Sequence, residues 1–289
     1  MNREWRIARR TLVYGGRSLV MGVLNVTPDS FSDGGRFSST ERALARAEEM
    51  IAEGADIIDI GGESTRPGAE TVSTEEEMRR VVPVIEELSK STIVPISVDT
   101  TKAMVAHAAL VAGAEIINDI SALRFEPSLA DVAASAQAGL VLMHSRGDAA
   151  TMHNLEPVAD IMAEVTNSLR QSVTEAERRG VAPECIAIDP GIGFGKSLEQ
   201  NVELIAKLDE LARAFAKFPI LVGTSRKSFL GRLLEGAPVE ERLHATMATV
   251  AAAVLRGAHI VRVHDVKAAV ETVRVMDVIN KASIQHSVS

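Results

Sequence analysis

The 289-residue chain has a single cysteine, Cys185, so a disulfide framework is excluded. A lone thiol at the head of an apolar run reads as buried and inert, and its isolation suits a reducing compartment. Aromatic residues make up only 3% of the chain, so the core must be built from aliphatic side chains. Positive charge is in deficit. The formal net charge is −8, which argues against a general nucleic-acid surface and leaves any anionic ligand to local cations. No apolar run approaches the roughly 20 residues of a membrane span. The first ten residues are charged and lack an apolar stretch of signal-peptide length. These absences predict a soluble cytoplasmic protein with no nucleic-acid or membrane partner. Two nucleotide fingerprints are missing as well. The glycine-rich turn Gly191, Gly193, Gly195 has Pro190 where a Walker loop needs its first glycine, and Lys196 where a dinucleotide loop needs its last.

What the chain does have is short apolar runs alternating with helical patterns. Trp5 to Tyr14 and Ser18 to Asn25 bracket Gly15-Gly16, a hairpin-like opening within residues 1–18. Buried-strand runs follow at 19–24, 57–60, 94–98, 116–117, 140–143, 186–188, 220–222 and 260–263. Between them lie helical stretches. Ser39 or Thr40 is expected to cap a helix through Glu53 with Ala43, Ala47, Met50 and Ile51 inward. Thr74 with Glu77 is expected to form a capping box, and Ser197 to open a helix to Phe215 with Leu198, Val202 and Ile205 on one side. Eight strand–helix units imply a parallel sheet with right-handed crossovers, and at this length a single-domain (β/α)8 TIM barrel spanning 1–289. A doubly wound open sheet is the alternative. In either fold the ligand sits at the carboxyl ends of the strands, where the polar residues cluster.

Asp99, Asn118 and Asp189 end three strands. Carboxylates accept paired N–H bonds and an amide both donates and accepts, so together they suit a flat heterocycle with an amino-lactam edge. Singly, each is equally a strand-end turn or cap. Ser225-Arg226-Lys227-Ser228 lies between a strand and a helix, where an anion can bind. Arg262 and His264, two apart, with Asn25 from the first strand end, suit a diphosphate, held through Mg²⁺. The plainer readings are a solvated charge for Lys227 and an ion pair with Asp265 or another acid for Arg262. The nine-residue spacing of His144 and His153 fits no zinc pattern.

The stretches 21–35 (MGVLNVTPDSFSDGG), 59–68 (DIGGESTRPG), 97–100 (SVDT), 117–120 (INDI), 142–144 (LMH), 189–196 (DPGIGFGK), 223–228 (GTSRKS) and 262–265 (RVHD) resemble the dihydropteroate synthase family of pterin-binding barrels over nearly the whole chain. The resemblance implies joining 6-hydroxymethyl-7,8-dihydropterin diphosphate to 4-aminobenzoate with release of diphosphate. It implies that Asp99, Asn118, Asp189 and Lys227 hold the pterin, with Ile120, Met143 and Phe194 packed around it and Gly223 at the pocket. Arg262, His264 and Asn25 are then expected at the diphosphate, Asn25 and Asp33 at Mg²⁺, and Thr65, Arg66, Pro67 and Ser228 at the aminobenzoate. The catalytic group so implied is Asp99, Asp189, Lys227, Arg262 and His264. A homodimer through the last helices is also implied. One position departs from the family pattern: Ser145 stands where a second methionine is usual. A non-catalytic pterin-binding paralogue and a folate:corrinoid methyltransferase are the competing functions.

Overall fold

Two short antiparallel strands, β1 (Arg3–Ile7) and β2 (Arg10–Tyr14), open the chain. The computed structural model describes residues 3–27, 36–64, 71–147, 151 and 155–286. The hairpin turns at Ala8-Arg9, with Ile7 opposite Arg10 and Arg3 opposite Tyr14. Gly15-Gly16 is therefore not the hairpin turn but the link into the barrel. The alternation of Trp5, Ile7, Leu12 and Tyr14 holds the hairpin together, and no turn residue marks its tip.

Eight strands follow: β3 (Leu19–Asn25), β4 (Ile57–Gly61), β5 (Ile96–Asp99), β6 (Ile116–Asp119), β7 (Gly139–Met143), β8 (Ile186–Asp189), β9 (Leu221–Val222) and β10 (Ile260–Val263). They pair in parallel in the order β8-β7-β6-β5-β4-β3-β10-β9, and a parallel bridge between Ile188 and Ile220 joins the two ends. Helices cover the outside: α1 (Arg36–Glu53), α2 (Thr74–Ser91), α3 (Ala103–Ala112), α4 (Leu129–Ala136), α5 (Ile161–Arg178), α6 (Leu198–Ala206), α7 (Leu208–Ala214), α8 (Ser228–Leu233), α9 (Leu243–Leu255) and α10 (Val266–His286). This is the (β/α)8 barrel the alternation predicts, not the open sheet. No helix among the described residues is long and apolar enough to cross a membrane.

Three local expectations change. Helix α1 starts at Arg36, ahead of Ser39. The cap of α2 is Ser73, whose hydroxyl accepts from the Glu76 N–H at 3.2 Å, while Glu77 turns inward. The stretch 197–215 is two helices, broken at Lys207 with no glycine or proline to announce it. Val202 accordingly faces out, 42% exposed, and Asn201, Leu204 and Ile205 face in.

The core divides by strand face. Outward-pointing residues such as Val20, Ile58, Val98, Ile117, Leu142 and Ile188 pack under the helices. Inward-pointing Leu19, Met21, Ile57, Ile116, Val141, Ala187, Leu221 and Ile260 form a second layer with Trp5, Ile7 and Tyr14 of the hairpin. Trp5 is fully buried and its indole N–H donates to the Cys185 carbonyl at 2.8 Å. The hairpin thus plugs the amino-terminal end of the barrel, and side chains alternate along each strand. Two residues beyond the plugged layer, the next inward positions are Asp59, Asn118, Met143, Asp189, Gly223 and Arg262. The chain's polar strand-end residues share one level of the interior because of that period of two.

Candidate active site

At this level Arg262 is held between two acids. Its Nε donates to Asp59 Oδ2 at 2.6 Å and its Nη2 to Asp99 Oδ2 at 2.6 Å. Asn118 Nδ2 donates to the same Asp59 oxygen at 3.0 Å. Asn118 Oδ1, Asp59 Oδ1 and Ser97 Oγ are buried without a protein partner among the described residues. Buried polar atoms left open are costly, and here they mark where a polar ligand has hydrogen bonds to make. Arg262 is indeed ion-paired, but with Asp59 and Asp99. Asp265 binds Arg226 instead, with contacts of 3.0 and 2.5 Å. Asp59 is not among the residues the sequence singles out, although an acid inside Ile57-Ile58-Asp59-Ile60 is a signal, since a charge at the centre of a buried strand needs a partner.

The other half of the site surrounds Asp189. Its Oδ1 accepts the Gly191 N–H at 2.6 Å. Gly191 has φ 66°, and a Cβ there would stand 1.8 Å from the His144 carbonyl oxygen, so only glycine passes. Gly193 leaves room for the stem of Lys227, whose Cδ would lie 2.9 Å from a Cβ at that position. The Lys227 ammonium donates to the Ile192 carbonyl and lies 4.4 Å from the centre of the Phe194 ring. It is not a solvated helix-start charge. Lys196 fixes the same loop from beneath, donating to Gly191 O at 2.7 Å, Phe194 O at 3.0 Å and His144 O at 3.3 Å.

Burial governs the charges. It raises Asp99, with Asp59 and Glu77 adding to it against Arg262, to about 7. It raises Asp189 as well, against Lys227. It lowers Lys227 to about 8, opposed by Asp189. Burial also works against the Arg262 charge, but Asp59 and Asp99 hold the guanidinium protonated. His144 is buried beside Lys196 and Arg124 and is pushed down to about 2, a neutral ring.

The remaining predicted residues that are described lie at or beyond the carboxyl ends of the strands. Met143 is buried against Gly191, and Gly223 lies beside Arg262. Ile120 follows β6, where Asp119 accepts N–H bonds from Ser121 at 2.8 Å and Leu123 at 2.6 Å and so fixes the turn. Ser228 opens α8 and is exposed. His264, one residue past β10, is engaged by Ser225. Ser145, the departure from the family pattern, accepts from Arg124 Nη2 at 2.8 Å, so a hydroxyl now anchors the start of that loop. Asn25 Oδ1 and Asp99 Oδ2 each lie 3.8 Å from the point where a Cβ on Gly61 would stand. Asp33, Thr65, Arg66, Pro67 and His153 lie outside the described residues.

The loop after β4 is tied down at its base. Lys102 Nζ binds Glu63 and, at 2.5 Å, Glu77 Oε2, which is 1% exposed; Arg80 donates to Gly62 O at 2.8 Å. Lys102→Met strands the Glu77 carboxylate and is expected to cost about 2–3 kcal/mol in urea unfolding, since Lys102 itself is partly exposed. An unchanged unfolding midpoint would show that the pair contributes nothing to the fold.

A parallel barrel plugged at one end, with carboxyl, guanidinium and amide groups lining the other, has the architecture of (β/α)8 enzymes, which place their sites at the carboxyl ends of the strands. Comparison with known proteins narrows the class. The family model for pterin binding enzymes matches residues 21–264. The dihydropteroate synthase of Synechocystis sp. is 50% identical over 264 residues, covering 91% of each chain. That of Bacillus subtilis is 48% identical over 276 residues, covering 95% of this chain and 93% of its own. The solved structure of Xanthomonas albilineans dihydropteroate synthase with 4-aminobenzoic acid superposes with a TM-score of 0.90 at 44% identity, over 96% of this chain and 98% of that one. Burkholderia cenocepacia dihydropteroate synthase complexed with 7,8-dihydropteroate gives 0.86 at 42% identity, over 98% of both. The chain belongs to the pterin-binding enzymes and, within them, to the dihydropteroate synthase family.

Proposed function

We propose that the chain joins 6-hydroxymethyl-7,8-dihydropterin diphosphate to 4-aminobenzoate, giving 7,8-dihydropteroate and diphosphate. The observation behind this reading is the inward layer of Asp59, Asp99, Asn118, Asp189 and Arg262 with Lys227 beside it, in which Asp59 Oδ1 and Asn118 Oδ1 have no protein partner among the described residues and so can accept from an amino-lactam ring edge. Asp189 and Asn118 Oδ1 accept from the pterin's N–H groups, Asp99 accepts from the far side of the ring, and Lys227 donates to a ring acceptor. Arg262 flanks the ring and, with His264 and Asn25, faces the diphosphate. Met143, Ile120 and Phe194 supply apolar walls. Thr65, Arg66, Pro67 and Ser228 shape the aminobenzoate site.

The reaction breaks the bond between the pterin methylene carbon and the diphosphate oxygen, and the electron pair leaves with diphosphate. The methylene cation is stabilised by the field of Asp99 and Asp189. The aminobenzoate nitrogen then forms the C–N bond and loses a proton to water. Such a sequence needs charge stabilisation at the leaving group and no covalent nucleophile. Asn25, at the end of β3, offers a hard oxygen donor, which suits an ion such as Mg²⁺ held by few protein oxygens and the substrate's phosphates. Asn25 and Asp33 would hold it, and Mg²⁺ there would neutralise charge on the diphosphate. Val275, Val278 and Ile279 expose an apolar face on α10, beside Leu255 of α9. This face supports a homodimer through the last helices.

Purified chain given both substrates and Mg²⁺ should form dihydropteroate, and chelation should stop it. Pterin binding without product would instead assign a non-catalytic paralogue. The pH profile is a second check. Asp99 accepts strongly and supplies its field only when ionised, and Lys227 carries its charge only when protonated. Accordingly kcat/KM for the pterin should rise through about pH 7 and fall above about pH 8. A profile flat from pH 6 to 9 would contradict those assignments.

A further inference from the structure

The Ser225 hydroxyl makes two contacts with one residue. It accepts the His264 backbone N–H at 3.1 Å and lies 3.0 Å from His264 Nδ1. A serine hydroxyl has one proton, and no other acceptor for it appears among the described residues. With one lone pair engaged by the backbone N–H, the hydroxyl proton is directed at Nδ1. The neutral ring must then accept at Nδ1 and keep its own proton on Nε2.

The surroundings hold this pair still. Ser225 is buried. Arg46 Nη2 donates to the His264 carbonyl at 3.0 Å, so both backbone polar groups of His264 are fixed. The next residue, Arg226, sits in the left-handed region with φ 59°, held by a 3.2 Å bond from its N–H to Thr246 Oγ1 and by its two contacts with Asp265. A non-glycine residue keeps that conformation only where several contacts impose it. The loops after β9 and β10 are thus cross-linked twice, at Ser225–His264 and at Arg226–Asp265.

We propose that Ser225 is a positioning residue that selects the Nε2–H tautomer of His264, so that the neutral ring presents an N–H donor to a phosphate oxygen of the leaving diphosphate. This rests on the reading of His264 as a diphosphate ligand. The tautomer itself, however, is measured on the protein alone. In the ¹⁵N-histidine-labelled protein above the ring's titration, long-range ¹H–¹⁵N spectra should show His264 with an unprotonated Nδ1 and a protonated Nε2. In Ser225→Ala that signature should give way to a mixture of tautomers, and Ser225→Thr, which retains the hydroxyl, should restore it. Inorganic diphosphate with Mg²⁺, titrated by calorimetry, should bind Ser225→Ala about tenfold more weakly and Ser225→Thr nearly normally. The KM for 4-aminobenzoate should stay within about twofold.

An Nδ1–H tautomer in the native protein overturns the proposal, even if Ser225→Ala fails to fold. So does an unchanged spectrum in Ser225→Ala. If the tautomer responds as expected while diphosphate affinity does not, the diphosphate role of His264 fails and the proposal falls with it. If both respond and no dihydropteroate forms, the proposal stands and the synthase reading is the part that fails.

Discussion

Arg262→Met is expected to abolish synthesis and to destabilise the barrel together. The guanidinium is the common partner of Asp59, which has no exposed surface, and of Asp99. Without it two carboxyls face each other in a buried layer, and one must keep its proton. A protonated Asp99 loses its negative field and accepts from the pterin only weakly. The diphosphate loses a cation at the same time, so kcat/KM should fall by at least about 10³-fold. Breaking a buried pair by removing one partner costs about 3–5 kcal/mol. The pH dependence of that cost has a definite sign. The stranded carboxyl has a folded pKa above its unfolded value, so the folded state binds more protons and stability falls as pH rises. The deficit against the native protein should therefore be largest above pH 7 and shrink toward pH 5. Urea unfolding at several pH values measures it, and a deficit independent of pH would show that Asp59 and Asp99 do not depend on Arg262.

Lys227→Met is the second large effect. Its ammonium bridges the Ile192 carbonyl, the Phe194 ring and the field of Asp189. Losing it should lower kcat/KM for the pterin by about 10²–10³-fold, with a smaller change in stability because Asp189 keeps the Gly191 N–H. Lys227→Arg should not rescue activity. The charge at Ile192 O and the Phe194 ring is a compact ammonium, and a planar guanidinium is not interchangeable with it where one point charge is needed. Isothermal titration with a pterin, alongside steady-state rates, separates a binding defect from a chemical one. Normal pterin affinity in Lys227→Met would remove Lys227 from the pocket.

Much of this site is legible in the sequence because of one periodicity. Strand-end polar residues at Asp99, Asn118, Asp189 and Arg262 follow apolar runs, and a parallel barrel brings strand ends to one mouth. Asp59 is hidden by its position in mid-strand, where the apolar residues around it read as core. The partners of Arg262 are not legible either, since Asp59, Asp99 and Arg262 lie on three strands that only closure brings together. The hairpin tip at Ala8-Arg9 and the break at Lys207 are set by tertiary packing, with no glycine or proline to mark them. The motif 223–228 reads in sequence as a place where an anion can bind. The cross-link from Ser225 to His264 depends on the adjacency of β9 and β10, which spacing along the chain does not reveal.

The most direct test of the account is to measure diphosphate and dihydropteroate in the same reaction, with and without 4-aminobenzoate. The account predicts one dihydropteroate for each diphosphate when the amine is present. Diphosphate released without an equal yield of dihydropteroate, or no release from a chain that binds the pterin, would contradict it.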